Sequence, residues 1–321
     1  MILTKNAKKA TPMNKRDRFY AAISGLETDR VPVSLWMHFA APYLSGDESA
    51  ERHSEFFLHY DVDIAKAVSD YRRPLPAGLN QIQTVADFEK ITKVSVSDPF
   101  FAEQINLLKG LRARLGEGWP IIDTFFDPIQ LVLRRSGFST MSLILDNPAK
   151  ARPMIEAATE SMIDYVRELK KIGIDGGFYS TRAAATKDCS QGFSDSEFNE
   201  LMKPYDMAIL TEMQGMVRLL HTCKSHLDLS RVDDYPYEVL SWADLDPTCP
   251  SMAQVRKAND KCLMGGINQA RVIEQSIDEI KHNIDCAIAI NKGRNFILSP
   301  GCTIGSNVPD HVLQTISNYA R

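Results

Sequence analysis

Met216-Val217-Arg218-Leu219-Leu220-His221-Thr222-Cys223 is the stretch that decides how this chain folds. A short apolar run ending in polar residues reads as a buried strand. Side chains two apart on a strand leave by the same face, so the imidazole of His221 and the thiol of Cys223 project together. A second run, Arg294-Asn295-Phe296-Ile297-Leu298-Ser299, ends just before Pro300-Gly301-Cys302. If both strands belong to one barrel, one nitrogen and two sulfurs meet at its mouth. Such a set suits a catalytic zinc ion, with a fourth position left for water or a substrate thiol. With seven His and six Cys in 321 residues, a His-x-Cys pair also arises by chance. The strand-end position and the third ligand after another strand give the pair its meaning.

Working outward, short β-rich runs alternate with longer helical patterns, which is the signature of βα units around a parallel sheet. Candidate strands cover residues 31–37, 62–68, 119–125, 175–180, 216–220, 239–242, 262–267 and 296–299. Eight is the number that closes a β/α barrel. The expectation is therefore an α/β fold, a single (β/α)8 TIM-type barrel over 14–321, preceded by a frayed tail at 1–13. Apolar residues at helical spacing predict a helix from 148 to 171, ending before Gly173. Ser194-Asp195-Ser196-Glu197 starts another that runs to about Gln214, either disturbed at Pro204 or divided there into two helices, and 274–291 is amphipathic. Residues 75–116 exceed one βα unit and are read, with the N-terminal region, as helical additions, the former walling the pocket near the mouth.

Composition narrows the classes. A net charge of −4 with both signs interspersed, and no basic patch interleaved with aromatics, argues against nucleic acid. No apolar run approaches a membrane span, and Met1 to Met13 lacks the apolar core of a signal peptide. Six irregularly spaced Cys do not make a disulfide framework, so a reducing cytoplasm is the expectation. Cys249, Cys262 and Cys286 are read as core or surface residues. The oligomeric state stays open, a homodimer included.

Functional residues of such barrels gather at the C-terminal strand ends. There the sequence places Trp36, His38, Asp70, Arg182, Trp242 and Asn268 beside His221, Cys223 and Cys302. Trp36 and Trp242 are candidate walls for a substrate, and core packing is the competing reading of both. Arg182 is a candidate for an anionic substrate end, against a solvent-facing role. Asn268 completes the substrate-binding candidates at the mouth. His38 and Asp70 are candidate proton-transfer groups, and structural satisfaction is the bland alternative. His226 is read as a surface residue.

Several short motifs, in order along nearly the whole chain, resemble the uroporphyrinogen decarboxylase superfamily. They are Asn14-Lys15-Arg16-Asp17-Arg18-Phe19 with Gly25 and Asp29-Arg30-Val31-Pro32-Val33, then Gly173-Ile174-Asp175-Gly176, Lys203-Pro204-Tyr205, Gly265-Gly266-Ile267 and Phe296 to Cys302 with Val308-Pro309. The resemblance implies a β/α barrel and one of two chemistries. Decarboxylases of the superfamily hold substrate carboxylates with an N-terminal Arg-Gln-Ala-Gly-Arg-type segment. Here 35–41 stands in that place, and no Arg occurs between Arg30 and Arg52. Asp63 is the position that matches the family's pyrrole-binding Asp, a substrate-binding candidate with a structural alternative. The other branch is similar to methylcobalamin:coenzyme M and related corrinoid-linked methyltransferases, whose zinc motif is His-x-Cys with a distant Cys. His221, Cys223 and Cys302 fall on those positions. Lys224 departs from the Gly that often follows there. The resemblance implies Zn2+, methylcobalamin or another corrinoid as methyl donor on a partner protein, and a small-molecule methyl acceptor such as a thiol. The alternative is a carboxy-lyase acting on a carboxylated pyrrole or related acid.

Overall fold

The computed structural model of the chain describes residues 12–40 and 42–320. The expected tail at 1–13 therefore lies outside the described residues except at its last two positions. Among the described residues, seven parallel strands form one sheet in sequence order: β1 Ala65–Lys66, β2 Ile121–Phe126, β3 Gly176–Thr181, β4 Val217–Thr222, β5 Val239–Trp242, β6 Cys262–Ile267 and β7 Phe296–Pro300. The sheet is curled and wrapped by helices, an arrangement consistent with a TIM-type barrel. Both faces are buried, which is why the strands are apolar almost throughout.

The two faces bury different clusters. Ile64, Val68, Ile122, Phe178, Leu219, Val239, Met264 and Ile297 pack with Trp36 on the inner side. Alternate residues such as Phe125, Tyr179, Leu220, Leu240, Leu263 and Leu298 join the larger layer between sheet and helices. This two-residue alternation sets which side chains reach the site.

One expected strand is corrected. Residues 31–37 form no strand and contribute isolated parallel bridges, Val33 to Leu298 and Met37 to Ile304. The segment bonds on one side to β7 (Ser34 N–H to Leu298 O, 2.9 Å; Leu298 N–H to Pro32 O, 2.9 Å) and on the other to Asp63 (N–H to Val33 O, 2.7 Å). Two groups interrupt a regular ladder. Pro32 has no amide hydrogen to give. The amide of Val33 donates to the Asp63 carboxylate at 2.9 Å instead of to a backbone carbonyl. Of the eight expected strands, seven are formed among the described residues.

The helices follow their local signals. The long one runs Pro148–Ile172 and ends at Gly173, whose φ of +69° suits the residue without a Cβ. Pro204 separates Asp195–Leu201 from Lys203–Glu212, and Ser194 caps the first through a capping box with Glu197. Within 75–116 lie a 3-10 turn, Val85–Lys90, and the helix Pro99–Leu115, which packs along Gly46–His59. Phe100, Phe101 and Gln104, from the start of that helix, line a pocket whose other side is Ser69, Phe126 and Arg134. No described helix is long and apolar enough to cross a membrane.

Candidate metal centre

His221 is the fifth residue of β4, and the strand closes one residue later. The amide of Cys223 still donates to Thr181 O at 2.8 Å, which continues the register with β3 and keeps Cys223 on the face of His221. Lys224 then turns the chain with φ of +93°. Cys302 arrives from β7 through Ser299-Pro300-Gly301. A Cβ on Gly301 would come within 2.8 Å of Ala243 Cα and of Trp242 O, so only glycine lets this turn lie against the end of β5.

The three side chains converge. One ligand atom from each of His221, Cys223 and Cys302 lies within 4.8 Å of the other two. His221 is 1% exposed, and both thiols are partly buried. The imidazole is clamped in place. Phe178 stacks on it at 4.9 Å and 25°, and Trp36 meets it edge-on at 6.2 Å. Its Nδ1 lies 3.2 Å from Ser241 Oγ, whereas its Nε2 is buried without a hydrogen-bond partner. An orphaned buried nitrogen costs free energy unless something takes its lone pair. Beside two sulfurs, a borderline-soft metal is the natural acceptor. A hydrogen bond from Cys302 draws Cys223 well below the ordinary thiol range, and the same bond pushes Cys302 up.

The remaining sequence candidates are placed as follows. Trp36 is on the inner face beside His221, with its indole nitrogen buried and unpartnered. His38 Nδ1 and Asp70 Oδ1 are 2.7 Å apart, so these two form a pair with each other. Arg182 directly follows β3 and is fully buried. Its Nε and Nη2 have no hydrogen-bond partner, Asp127 Oδ2 stands 3.9 Å from Nε, and Nη1 reaches Gln191 at 3.4 Å. Trp242 is on the outer face, packed in the larger core with its indole N–H on Pro250 O at 2.7 Å. Asn268 caps the turn after β6 through the amides of Ala270 and Arg271. Asp63 is fully buried, and its oxygens accept from Arg18, Arg30 and the Val33 amide.

Two residues escaped the sequence reading. Ser241 orients the imidazole, and its signal was register: it lies directly across from His221 on β5. Lys66, 1% exposed, is buried on the inner face between Ile64 and Val68. Its signal was a charged residue at an inward position of an otherwise apolar alternation.

The uroporphyrinogen decarboxylase family model matches residues 70–321. The chain belongs to this family. Both Cys302 and the His221–Cys223 pair lie within the matched span. Among solved structures, a methyltransferase from Methanosarcina mazei superposes with a TM-score of 0.74 at 16% identity, covering 96% of this chain and 98% of that one. A structure from Listeria monocytogenes described as a vitamin-B12 independent methionine synthase gives a TM-score of 0.55 at 12% identity, over 91% and 96% of the two chains. At such identities the likeness is one of fold. No curated protein matches the sequence.

Proposed function

We propose that this family member is a zinc-dependent methyltransferase that moves a methyl group from a corrinoid, carried on a partner protein, to a small acceptor thiol. The observation that carries the reading is the convergence of three N and S donor atoms within 4.8 Å, one of them a buried nitrogen with no other partner. Three protein ligands of this kind are the catalytic form of a zinc site, since a structural site uses four. The methyltransferase among the similar structures supports the reading.

His221, Cys223 and Cys302 would hold the ion. Bound zinc would supply Lewis acidity, lowering the pKa of a thiol in the remaining position so that thiolate is present near neutral pH. Everything else falls to the chain's own groups. Ser241 Oγ is assigned the hydrogen bond from Nδ1–H of His221, which leaves the Nε2 lone pair for the metal. Trp36 and Phe178 fix the ring and keep the inner side apolar. Arg182 is assigned the anionic end of the acceptor, because its Nε and Nη2, the edge that makes side-on paired bonds, are buried without a hydrogen bond, with the Asp127 carboxylate 3.9 Å from Nε. His38, oriented by Asp70, is assigned the thiol proton. The net reaction forms a carbon–sulfur bond and breaks the carbon–cobalt bond. The electron pair stays with cobalt, and a proton leaves the thiol.

The family's name offers decarboxylation as the second reading. Substrate carboxylates need charge-matched Arg donors. Of the Arg residues around the expected segment, Arg18 and Arg30 are bonded to Asp29 and Asp63 at 2.5–2.7 Å, and Arg52 is exposed on a helix beside Glu55 at 3.2 Å. The observations favour methyl transfer.

The test is zinc content of freshly purified protein beside Cys223→Ser, followed by methyl transfer from methylcobalamin to a panel of small thiols. One zinc per chain, lost in the variant, and a methylated thiol are expected. Negligible zinc in the wild type, or release of carbon dioxide from a carboxylated pyrrole, overturns the reading.

A further inference from the structure

Lys66 has no place in the chemistry described so far, yet it is buried beside the centre. Strand alternation puts its side chain inside, in line with Ile64 and Val68. Its Nζ donates to Thr124 Oγ1 at 2.9 Å, and lies 3.5 Å from the ring centre of Trp36 and 3.9 Å from that of Phe178. Among the described residues its contacts are therefore a hydroxyl and two aromatic faces, not a carboxylate. The same two rings pack on His221. Lys66 and the ligand imidazole are thus separated by shared aromatic walls.

A buried ammonium without a counter-ion is costly. Attraction to the two ring faces offsets only part of that cost. Burial accordingly lowers its proton affinity, while the nearest opposing influence comes from Cys302, followed by Asp123. Asp123 is turned to the outer side, where it is bonded to Tyr165 and Gln104 at 2.7 Å. Among the described residues, the influence that acts on Lys66 from the inner side is that of Cys302. The other cations felt at that centre are Arg134 and Lys224, both toward Cys223 and both partly exposed, so solvent screens them. Near Arg134 stands Asp70, which is paired with His38. Of these cations acting on Cys223 and Cys302, Lys66 is the one shut away from solvent.

Two thiolates and a neutral imidazole balance a zinc ion, and a third, substrate sulfur brings the centre to one net negative charge. We propose that Lys66 is the built-in counter-charge for that third sulfur, a positioning residue that acts on the acceptor thiolate through the field across the Trp36 and Phe178 rings. The inference rests on the zinc-thiol reading above and adds to it a group that sets how readily the acceptor ionises. It follows that removing the charge weakens acceptor binding without removing the metal.

The experiment uses full-length protein loaded with Co2+ in place of zinc and titrated with 2-mercaptoethanol, a thiol with no charged end. Growth of the sulfur-to-cobalt charge-transfer band reports the third sulfur. Lys66→Met should retain the metal and need about tenfold more thiol at pH 7, the size of one pKa unit. Lys66→Arg, which keeps the charge, should titrate close to wild type. Met is an apolar side chain of similar length, so the variant is expected to fold at least as stably. Thr124→Val is the second probe, because it frees the amine from its anchor while keeping the charge. It should shift the titration in the same direction by less. Titrations of Lys66→Met and Thr124→Val that overlay the wild type overturn the inference while leaving the zinc-thiol reading intact. Failure of wild-type protein to bind metal overturns both.

Discussion

Ser241 Oγ sits 3.2 Å from Nδ1 of His221, directly across the β4–β5 ladder. The contact engages Nδ1 of the imidazole and leaves Nε2 without a hydrogen-bond partner. Groups that hold a ligand histidine in this way are typically worth roughly 10- to 100-fold in metal affinity. Ser241→Ala should therefore lower zinc affinity by that order, measured by competition with a chromophoric chelator at fixed pH. Because the change leaves the buried Nδ1 of His221 unpaired, a stability loss of about 1–3 kcal/mol should accompany it. An unchanged zinc affinity would remove Ser241 from the centre.

Lys224 adopts φ of +93° immediately after Cys223. A side chain in left-handed backbone costs about 1–2 kcal/mol, less what glycine loses in unfolded-state entropy. Here the lysine makes one weak contact, its ammonium 5.4 Å from the Phe138 ring centre. Lys224→Gly is expected to stabilise the fold by about 0.5–1 kcal/mol in urea denaturation. Zinc stoichiometry should be unaffected, since the turn is already made. Lys224→Val, β-branched in the same conformation, should destabilise and lower zinc occupancy by displacing Cys223. Equal stability of the three proteins would mean that the turn is unstrained.

Much of the fold and the convergence of His221, Cys223 and Cys302 was legible because both depend on local pattern. Apolar runs ending in polar residues located β4 and β7, and the i, i+2 rule put His221 and Cys223 on one face. What the pattern missed is non-local. Residues 31–37 look like a strand, but whether a strand forms depends on the partner of Val33's amide, and that partner is the side chain of Asp63, thirty residues away. Trp242 illustrates a different failure. At the end of β5 it was read as a mouth residue, yet Ser241 takes the inward position facing His221 and Trp242 turns outward to Pro250. Alternation was available in the sequence, but its phase was set only by pairing with β4. Lys66 was passed over because a lysine in a strand is ordinarily solvated.

Asp123 gives a pH dependence with a definite sign. Burial pushes its carboxyl up to about 7, against the downward pull of hydrogen bonds from Tyr165 and Gln104. Between about pH 4 and pH 7 the folded chain therefore holds a proton that the unfolded chain has released, and stability falls as pH rises through that window. Asp206 and Asp244, likewise pushed up to about 7 by burial, add to the slope. His53 opposes it: burial pushes it down to about 4, so its contribution is lost as pH falls from about 6.5. The clean readout is a difference. Asp123→Asn should gain stability relative to wild type from pH 4 to pH 7 and hold that gain above it, in urea denaturation at constant ionic strength. Parallel curves would show that Asp123 stays ionised in the fold.

Asp63 separates structural from substrate-binding carboxylates. Its Oδ1 accepts from Arg18 and Arg30 at 2.6 and 2.7 Å, and its Oδ2 from Arg30 and the Val33 amide at 2.5 and 2.9 Å. Arg18 in turn bonds Asp29, and that hydrogen bond is the main cause that draws the Asp29 carboxyl down to about 2. The cluster ties the N-terminal helix and the 31–37 segment to the chain entering β1. Removing one member of a buried ion network leaves its partners uncompensated, at a cost of about 3–5 kcal/mol. Asp63→Ala should lose stability of that order in chemical denaturation. Asp63→Asn, which can still accept from the Val33 amide, should lose less. At temperatures where both variants remain folded, zinc content and thiol binding should match wild type, because no ligand of the centre touches this carboxylate. A variant that stays stable yet loses binding would instead return Asp63 to the substrate site.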